Sequence, residues 1–600
     1  MRKIFQSGNF YSFMPNINRM SIKHYFLVSV TLLSVTIFTG CKGKQKSIAK
    51  GTVVYRETAD PDMLNPINSS SANATIVNDL IFGGMQGMNP KTFDLTNVLL
   101  KNDPLLEELN DGEFAGGMKI SFEIKDDAKW DNGTPVTADD YVFTIKSIIN
   151  PKTNCEHLKG YYSWLGDIVV DPSNNRKVTV FSKEKYFKIT EFALYRCLPE
   201  YVYDPTKIMR KFSIKDLMAN SEKLKGDNDI ITFAEEFNSE KHQRDSSGIS
   251  GFGPYTFDHW TTGQELVVTR KKDWWGDKYA AQRDFWAYPE KIVFKVIPDN
   301  NTAFTALKDD KLSAYDAIDS KRFKELEENK LFADKFNLTR IGRFSYTYLG
   351  FNMRKEKLKD VRVRKAIAHS IDRDQINKTL SNGEGVLANT FVHVDQTKFL
   401  NTDIKPMNYD VEKAKSLLAE AGWKDTDGDG FLDKNKQKFT LDIKMPSGSD
   451  VVKQQALMYK DQLKKVGIDL NIVEREWTVY LQEMDKFDFE INMGGWTIPA
   501  RVSDPYQLWH TKSAVNGGSN YPNFGNAESD KLIEELRATL DENKRIELYK
   551  KFQQMLADEQ PVVYMFYPKN RLAISKKFEV EPIMINPGFT LNEFKAIAAE

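Results

Sequence analysis

Twice in its second half the chain runs a capped amphipathic helix into a glycine. Asp410 is placed to cap a helix carrying Val411, Ala414, Leu417, Leu418 and Ala421, and Gly422 ends it. Ser449 or Asp450 caps a second helix, with Val452, Ala456, Tyr459 and Leu463 on one face and Gly467 as its stop. An alternating strand over residues 468–473 follows at once. Helix, glycine and strand in that rhythm call for sheets flanked by helices, an α/β architecture. The first half supplies half-buried strands at residues 119–124, 266–270 and 291–297. Further on, Leu532, Ile533 and Leu536 mark one helix, Ile546, Tyr549, Phe552 and Leu556 mark the next, and a strand is predicted over 562–567. At 600 residues the chain is long enough for two or more lobes. No Pro/Gly/Ser-rich linker separates them, so the chain is expected to pass between lobes through ordinary strands.

Charge excludes one class of partner. Lys plus Arg equals Asp plus Glu, so no basic excess points to nucleic acid. The N-terminus departs from this balance: Arg2, Lys3, Arg19 and Lys23 are the formally charged side chains of residues 1–40, and all are basic. An apolar stretch over 25–38 follows, too short and too interrupted by Ser and Thr to span a bilayer. This pattern predicts a secretory leader over 1–40. It ends in Phe38-Thr39-Gly40-Cys41, which resembles a bacterial lipobox with Phe38 in place of the usual branched aliphatic residue. Cys41 is therefore the expected lipidation site and residues 41–50 the polar tether. The mature chain is then slightly acidic, exported and held to a membrane facing the periplasm or cell exterior.

Cys155 and Cys197 remain, and an oxidising compartment makes them candidates for a disulfide. Asp425, Asp427, Asp429 and Asp433, with Gly430, match the first, third, fifth, ninth and sixth positions of a calcium loop, but Lys436 stands where the bidentate Glu belongs. A structural turn is the preferred reading and weak calcium binding the alternative; no cofactor is expected. Signs of catalysis are missing: there is no His-Glu-x-x-His helix and no Gly-x-Ser-x-Gly elbow. Residues 112–119 echo a phosphate loop only faintly, with Met118 where the lysine belongs. A non-enzyme is expected.

Four further segments carry most information as a set. The first runs through Trp130, Asn132-Gly133 and Thr137 to Asp140, a strand, a turn and a helix start whose capping box uses Asp for the usual Glu. The second is Gly251-Phe-Gly-Pro-Tyr255, a glycine turn into a hairpin. The third joins Leu349-Gly-Phe-Asn352 to Asp360-Val-Arg-Val-Arg-Lys-Ala-Ile367 and Asp372-Arg-Asp374. The fourth runs from Tyr409 through Ala421-Gly-Trp423 to Asp433. In this order and spacing they resemble the family 5 bacterial extracellular solute-binding proteins, the peptide- and nickel-type receptors of ATP-binding-cassette importers, over about residues 52–594.

That resemblance implies a two-lobed, periplasmic-binding-protein-like α/β fold, of the class with an extra subdomain in the first lobe and a ligand cleft between lobes. It places lobe I at 51–316 plus 566–600 and lobe II at 317–565. It implies a monomer that captures peptides by hinge closure and delivers them to permease subunits. A metal complex, a sugar or a cell-wall fragment is the alternative ligand, and a secreted hydrolase the more distant reading. Trp496, Thr497 and Asp504 fall in the segment that supplies a carboxylate for a peptide's ammonium group in relatives, and Ser70 and Ser71 in an early loop near the cleft. Arg501 departs from the pattern, since a guanidinium opposes an ammonium.

Overall fold

The computed structural model describes residues 51–316 and 318–597. The leader at 1–40, the tether at 41–50 and Cys41 lie outside the described residues. No helix among the described residues is long and apolar enough to cross a membrane.

Two large sheets organise the molecule. A seven-stranded sheet runs in the order Phe336–Gly342, Lys569–Ser575, Ala314–Tyr315, Thr52–Glu57, Lys291–Val296, Glu265–Arg270, Tyr255–Thr261. A five-stranded sheet runs Asp469–Arg475, Thr440–Pro446, Ile491–Thr497, Ser345–Phe351, Val562–Tyr564. A smaller antiparallel sheet of Leu105–Glu108, Met118–Glu123, Asn174–Ser182 and Leu165–Asp171 forms the extra subdomain beside the first. The alternation predicted around residue 120 is realised there: Met118, Ile120 and Phe122 are buried and the residues between them half-exposed.

Register follows the apolar pattern. Val53 and Tyr55 lie opposite Ile292 and Phe294 in a parallel pair, and all four are buried. Each such side chain contributes about 1.5–3 kcal/mol of burial. The two helix–glycine units form as expected. Asp410 accepts from Lys413 N at 2.9 Å to start Val411–Glu420, and Ser449 Oγ accepts from Val452 N at 3.3 Å to start Asp450–Lys464. Gly422 and Gly467 take φ of +88° and +80°, which a Cβ disfavours.

The segments that carried the resemblance are structural pins. Asp140 accepts from Thr137 N at 2.9 Å, Trp130 Nε1 at 3.2 Å and Glu200 N at 3.0 Å, tying turn, helix and a later segment together. Asn352 is buried and donates to the carbonyls of Phe487 and Phe489 at 3.0 and 2.8 Å. Arg364 is buried and donates to the carbonyls of Leu358, Lys359 and Glu559. Gly253 sits where a Cβ would strike the backbone of Leu80 and Ile81 at the end of helix Ala72–Phe82.

One open question is answered and one expectation corrected. Cys155 and Cys197, candidates for a bridge, are free and buried. Cys155 Sγ is turned toward Ile148 O at 3.3 Å, and burial pushes both thiols up, Cys155 to about 12. The strand predicted over 562–567 divides at Met565: Val562–Tyr564 pairs with Ser345–Phe351, and Phe566–Tyr567 pairs with Val386–Leu387.

Candidate functional site

A cavity of about 1590 Å³ lies between the two large sheets. One wall comes from helix Ala72–Phe82, the hairpin of Gln86–Met88 and Leu95–Asn97, the turn at 125–127, and segments 274–284 and 583–593. The opposite wall is Phe344 and residues 497–501, which leave the end of strand Ile491–Thr497. Strand ends thus deliver backbone and side chains to the cleft from both sides.

Most charges on this wall are already neutralised. Asp79 pairs with Arg196 at 2.6 Å and Lys101 with Asp126 at 3.0 Å. Asp127 pairs with Lys278, Glu191 with Lys188 at 2.7 Å, and Arg283 with Glu593 at 2.6 Å. Lys125 Nζ donates to the carbonyls of Asn97, Val98 and Leu100 at 2.8, 2.8 and 2.6 Å. Burial pushes its ammonium down to about 8, against the raising influence of Asp284. Asp103 accepts from Asn97 Nδ2 at 2.6 Å. Among the described residues, Asp284 and Arg501 alone of the charged wall residues have neither an ion pair nor a side-chain hydrogen bond.

The loop bearing Arg501 is held from behind. Gln396 Nε2 donates to the carbonyls of Pro499, Ala500 and Arg501 at 2.9, 3.1 and 3.3 Å. Just beyond it, Asp504 is engaged elsewhere. Its carboxylate accepts from Tyr186 Oη at 2.8 Å, Arg537 Nε at 2.9 Å and Tyr506 N at 2.9 Å. Tyr186 follows the smaller sheet and Arg537 lies in helix Ala527–Ala538, so this cluster joins the two halves of the molecule across the cleft. Phe187 N donates to Arg537 O at 3.0 Å, the Arg545 guanidinium lies 4.9 Å from the Phe187 ring, and Tyr161 Oη bonds Gln507.

The predicted site residues therefore separate. Thr497 is exposed on the cavity wall. Trp496 stacks on Tyr521 at 6.0 Å, off the wall. Asp504 is off the wall too: the carboxylate expected to await an ammonium is paired with Arg537. Ser71 Oγ accepts from Ala74 N at 3.4 Å as the helix cap, and Ser70 N donates to Asp62 at 3.3 Å; neither lines the cavity. In the acidic loop, oxygens of Asp425, Asp427 and Asp433 lie within 4.8 Å of one another, whereas Asp429 faces Lys438 at 3.6 Å. Asp433 also accepts from Thr426 N at 2.8 Å, and its antiparallel bridge with Lys424 closes residues 425–432 into a turn. Asp284 and Gln396 carry no motif, and only the convergence of distant segments reveals them.

Comparison with known proteins agrees with this arrangement. The family model described as bacterial extracellular solute-binding proteins, family 5 Middle, matches residues 111–519. The oligopeptide-binding protein AppA of Bacillus subtilis is 27% identical over 574 residues, covering 92% of this chain and 95% of its own. The structure of that protein with a nonapeptide superposes with a TM-score of 0.71 at 25% identity, over 92% of this chain and 100% of the other. NikZ of Campylobacter jejuni, solved with Ni(L-His), superposes with a TM-score of 0.70 at 21% identity, over 89% of this chain and 95% of the other.

Proposed function

The chain belongs to the bacterial extracellular solute-binding proteins, family 5, and from that premise we propose that it captures peptides in the cleft and delivers them to the permease of an ATP-binding-cassette importer. The observation that carries this reading is the size and placement of the cavity. At about 1590 Å³ it exceeds the roughly 300–1,000 Å³ of pockets for drug-sized ligands. It is walled from both sheets, so a ligand there touches both halves only when they are together. The similarity to a relative solved with a nonapeptide supports an extended ligand.

Capture then works by population shift. Ligand binds the closed arrangement better than the open one and draws the equilibrium toward it. The Asp504–Arg537–Tyr186 cluster stabilises that closed arrangement. In this reading the lobes are 51–316 plus 566–600 and 317–565, with one adjustment. The hydrogen bonding of Phe336–Gly342 into the seven-stranded sheet supports a first crossing nearer Arg343. The protein is monomeric, exported and lipid-anchored through Cys41, and it catalyses no reaction.

A thermal melt of the purified chain against pools of di- to hexapeptides tests the proposal. Ligand at a hundredfold excess over Kd stabilises the fold by about 2.7 kcal/mol, a rise of a few degrees. Reproducible rises with some pools are expected. A flat response to every pool, after unfolding and refolding to strip carried ligand, would remove the peptide assignment and turn the search to metal complexes, sugars and cell-wall fragments.

A further inference from the structure

Two unpaired charges of opposite sign stand on different walls of an otherwise neutralised cleft. Arg501 is exposed on the wall below the five-stranded sheet, and Asp284 stands on the 3-10 turn Arg283–Phe285 of the opposite wall. The loop around Arg501 is arranged for an anion. Gln396 draws the carbonyls of residues 499–501 to one side. The N–H groups of Ala500 and Arg501 donate to no acceptor among the described residues. Arg545 lies nearby, with its Nε–H buried and without a partner. Burial holds the Arg545 guanidinium below its ordinary range; Glu542 opposes this and the Arg501 charge adds to it. The Arg501 guanidinium and the free backbone donors are complementary to a carboxylate, and the Arg545 charge behind the wall adds to the positive potential there.

The Asp284 end has the opposite character. Its carboxylate packs over Gly87, where any side chain would collide with it, and beside Thr96, whose hydroxyl is buried without a hydrogen-bond partner. The nearby Lys125 already donates to three carbonyls and forms no ion pair with Asp284. An unpaired carboxylate on the cavity wall is complementary to an ammonium.

We propose that the cleft holds free-terminus peptides in one polarity, with the ligand carboxylate on Arg501 and its ammonium on Asp284. The assignment rests on the peptide reading above and adds to it which ends are recognised and by which residues. Arg501 sets this direction: it places a cation on the loop where a ligand ammonium was expected, and Asp504, the acid of that loop, is consumed by Arg537. Selectivity for termini leaves the side chains of the peptide to the roomy remainder of the cavity.

The test uses one pool of hexapeptides with uncharged side chains in three forms: free at both ends, C-terminally amidated, and N-acetylated. Binding to the full chain in detergent is measured by titration calorimetry for wild type, Arg501→Gln, Arg501→Lys and Asp284→Asn. Removing a charged hydrogen-bond partner is expected to weaken binding about tenfold or more. Wild type should therefore disfavour the amide and the acetylated form. The penalty for amidation should vanish in Arg501→Gln and return in Arg501→Lys, and the penalty for acetylation should vanish in Asp284→Asn. Uncharged side chains exclude an acidic side chain as the anion. Equal binding of all forms to wild type, or penalties unchanged in the variants, would overturn the polarity while leaving the peptide reading intact. No binding of any form to wild type would overturn both.

Discussion

Arg501 and Asp504 stand on the same loop beyond strand Ile491–Thr497, and their surroundings treat them differently. Asp504 has 9% of its side chain exposed and shares its carboxylate between Arg537 and Tyr186. Arg501 projects from a backbone clamped by Gln396, with no acid beside it. The first region joins the halves of the molecule, and the second is left open to whatever enters between them. A charge that is paired within the protein stabilises a conformation, whereas one held in place and unpaired is available to a ligand. In this loop the two roles are adjacent.

The contrast can be broken at several points. Asp504→Ala should have the largest effect of the loop variants, because it leaves the half-buried Arg537 cation without its carboxylate. A loss of about 2–3 kcal/mol is expected in chemical denaturation, and Asp504→Ala combined with Arg537→Gln should recover part of it. An unchanged midpoint would mean the cluster holds nothing.

A second variant probes a charge that is neither paired nor open. Glu57 ends the strand Thr52–Glu57, is buried, and has one carboxylate oxygen without a partner. Burial pushes it up to about 8, Asp316 adds to the rise and Arg56 opposes it. A folded pKa raised in this way contributes stability that is complete below the unfolded value near 4.5 and is lost as pH climbs through about 8. Between pH 5 and 8, wild type should therefore lose about 1 kcal/mol per pH unit relative to Glu57→Gln. Parallel pH profiles would contradict the assignment.

Gln396→Ala releases three carbonyls and should cost about 1 kcal/mol of stability while weakening peptide binding severalfold. The smallest effect belongs to Arg501→Gln: with no partner to lose, its denaturation midpoint should move by less than about 0.5 kcal/mol even though its ligand preference changes. A large stability loss there would show that Arg501 is structural and would erase the contrast with Asp504.

Local physics made much of the fold legible. Asp410 and Ser449 announce helix starts because capping is a short-range hydrogen bond, and Gly422 and Gly467 announce ends because few residues tolerate positive φ. The segments around Trp130, Gly253, Asn352 and Arg364 could be recognised as a set. In the structure they pin loops and helix ends, so they identify the architecture and say little about the ligand. The break at Met565 was hidden, since it reflects two different long-range partners of one apolar run. The site was least legible. Asp504 read either as a ligand carboxylate or as the start of an Asp-Pro turn, and only Arg537 and Tyr186, brought from other elements, show how it is engaged. Thr497 was found on the wall, but Trp496 next to it alternates to the other side of its strand and stacks on Tyr521. Asp284 became visible only when the turn carrying it met Gly87 and Thr96.

Calorimetric titration of one free-acid peptide, chosen from the thermal screen, shows whether this cleft holds the ligand. A single site per chain is expected in wild type, a weaker site in Arg501→Gln at unchanged stability, and a weaker site in Asp504→Ala at reduced stability. Binding of equal strength in all three would contradict the assignment of this cleft as the place where ligand is held.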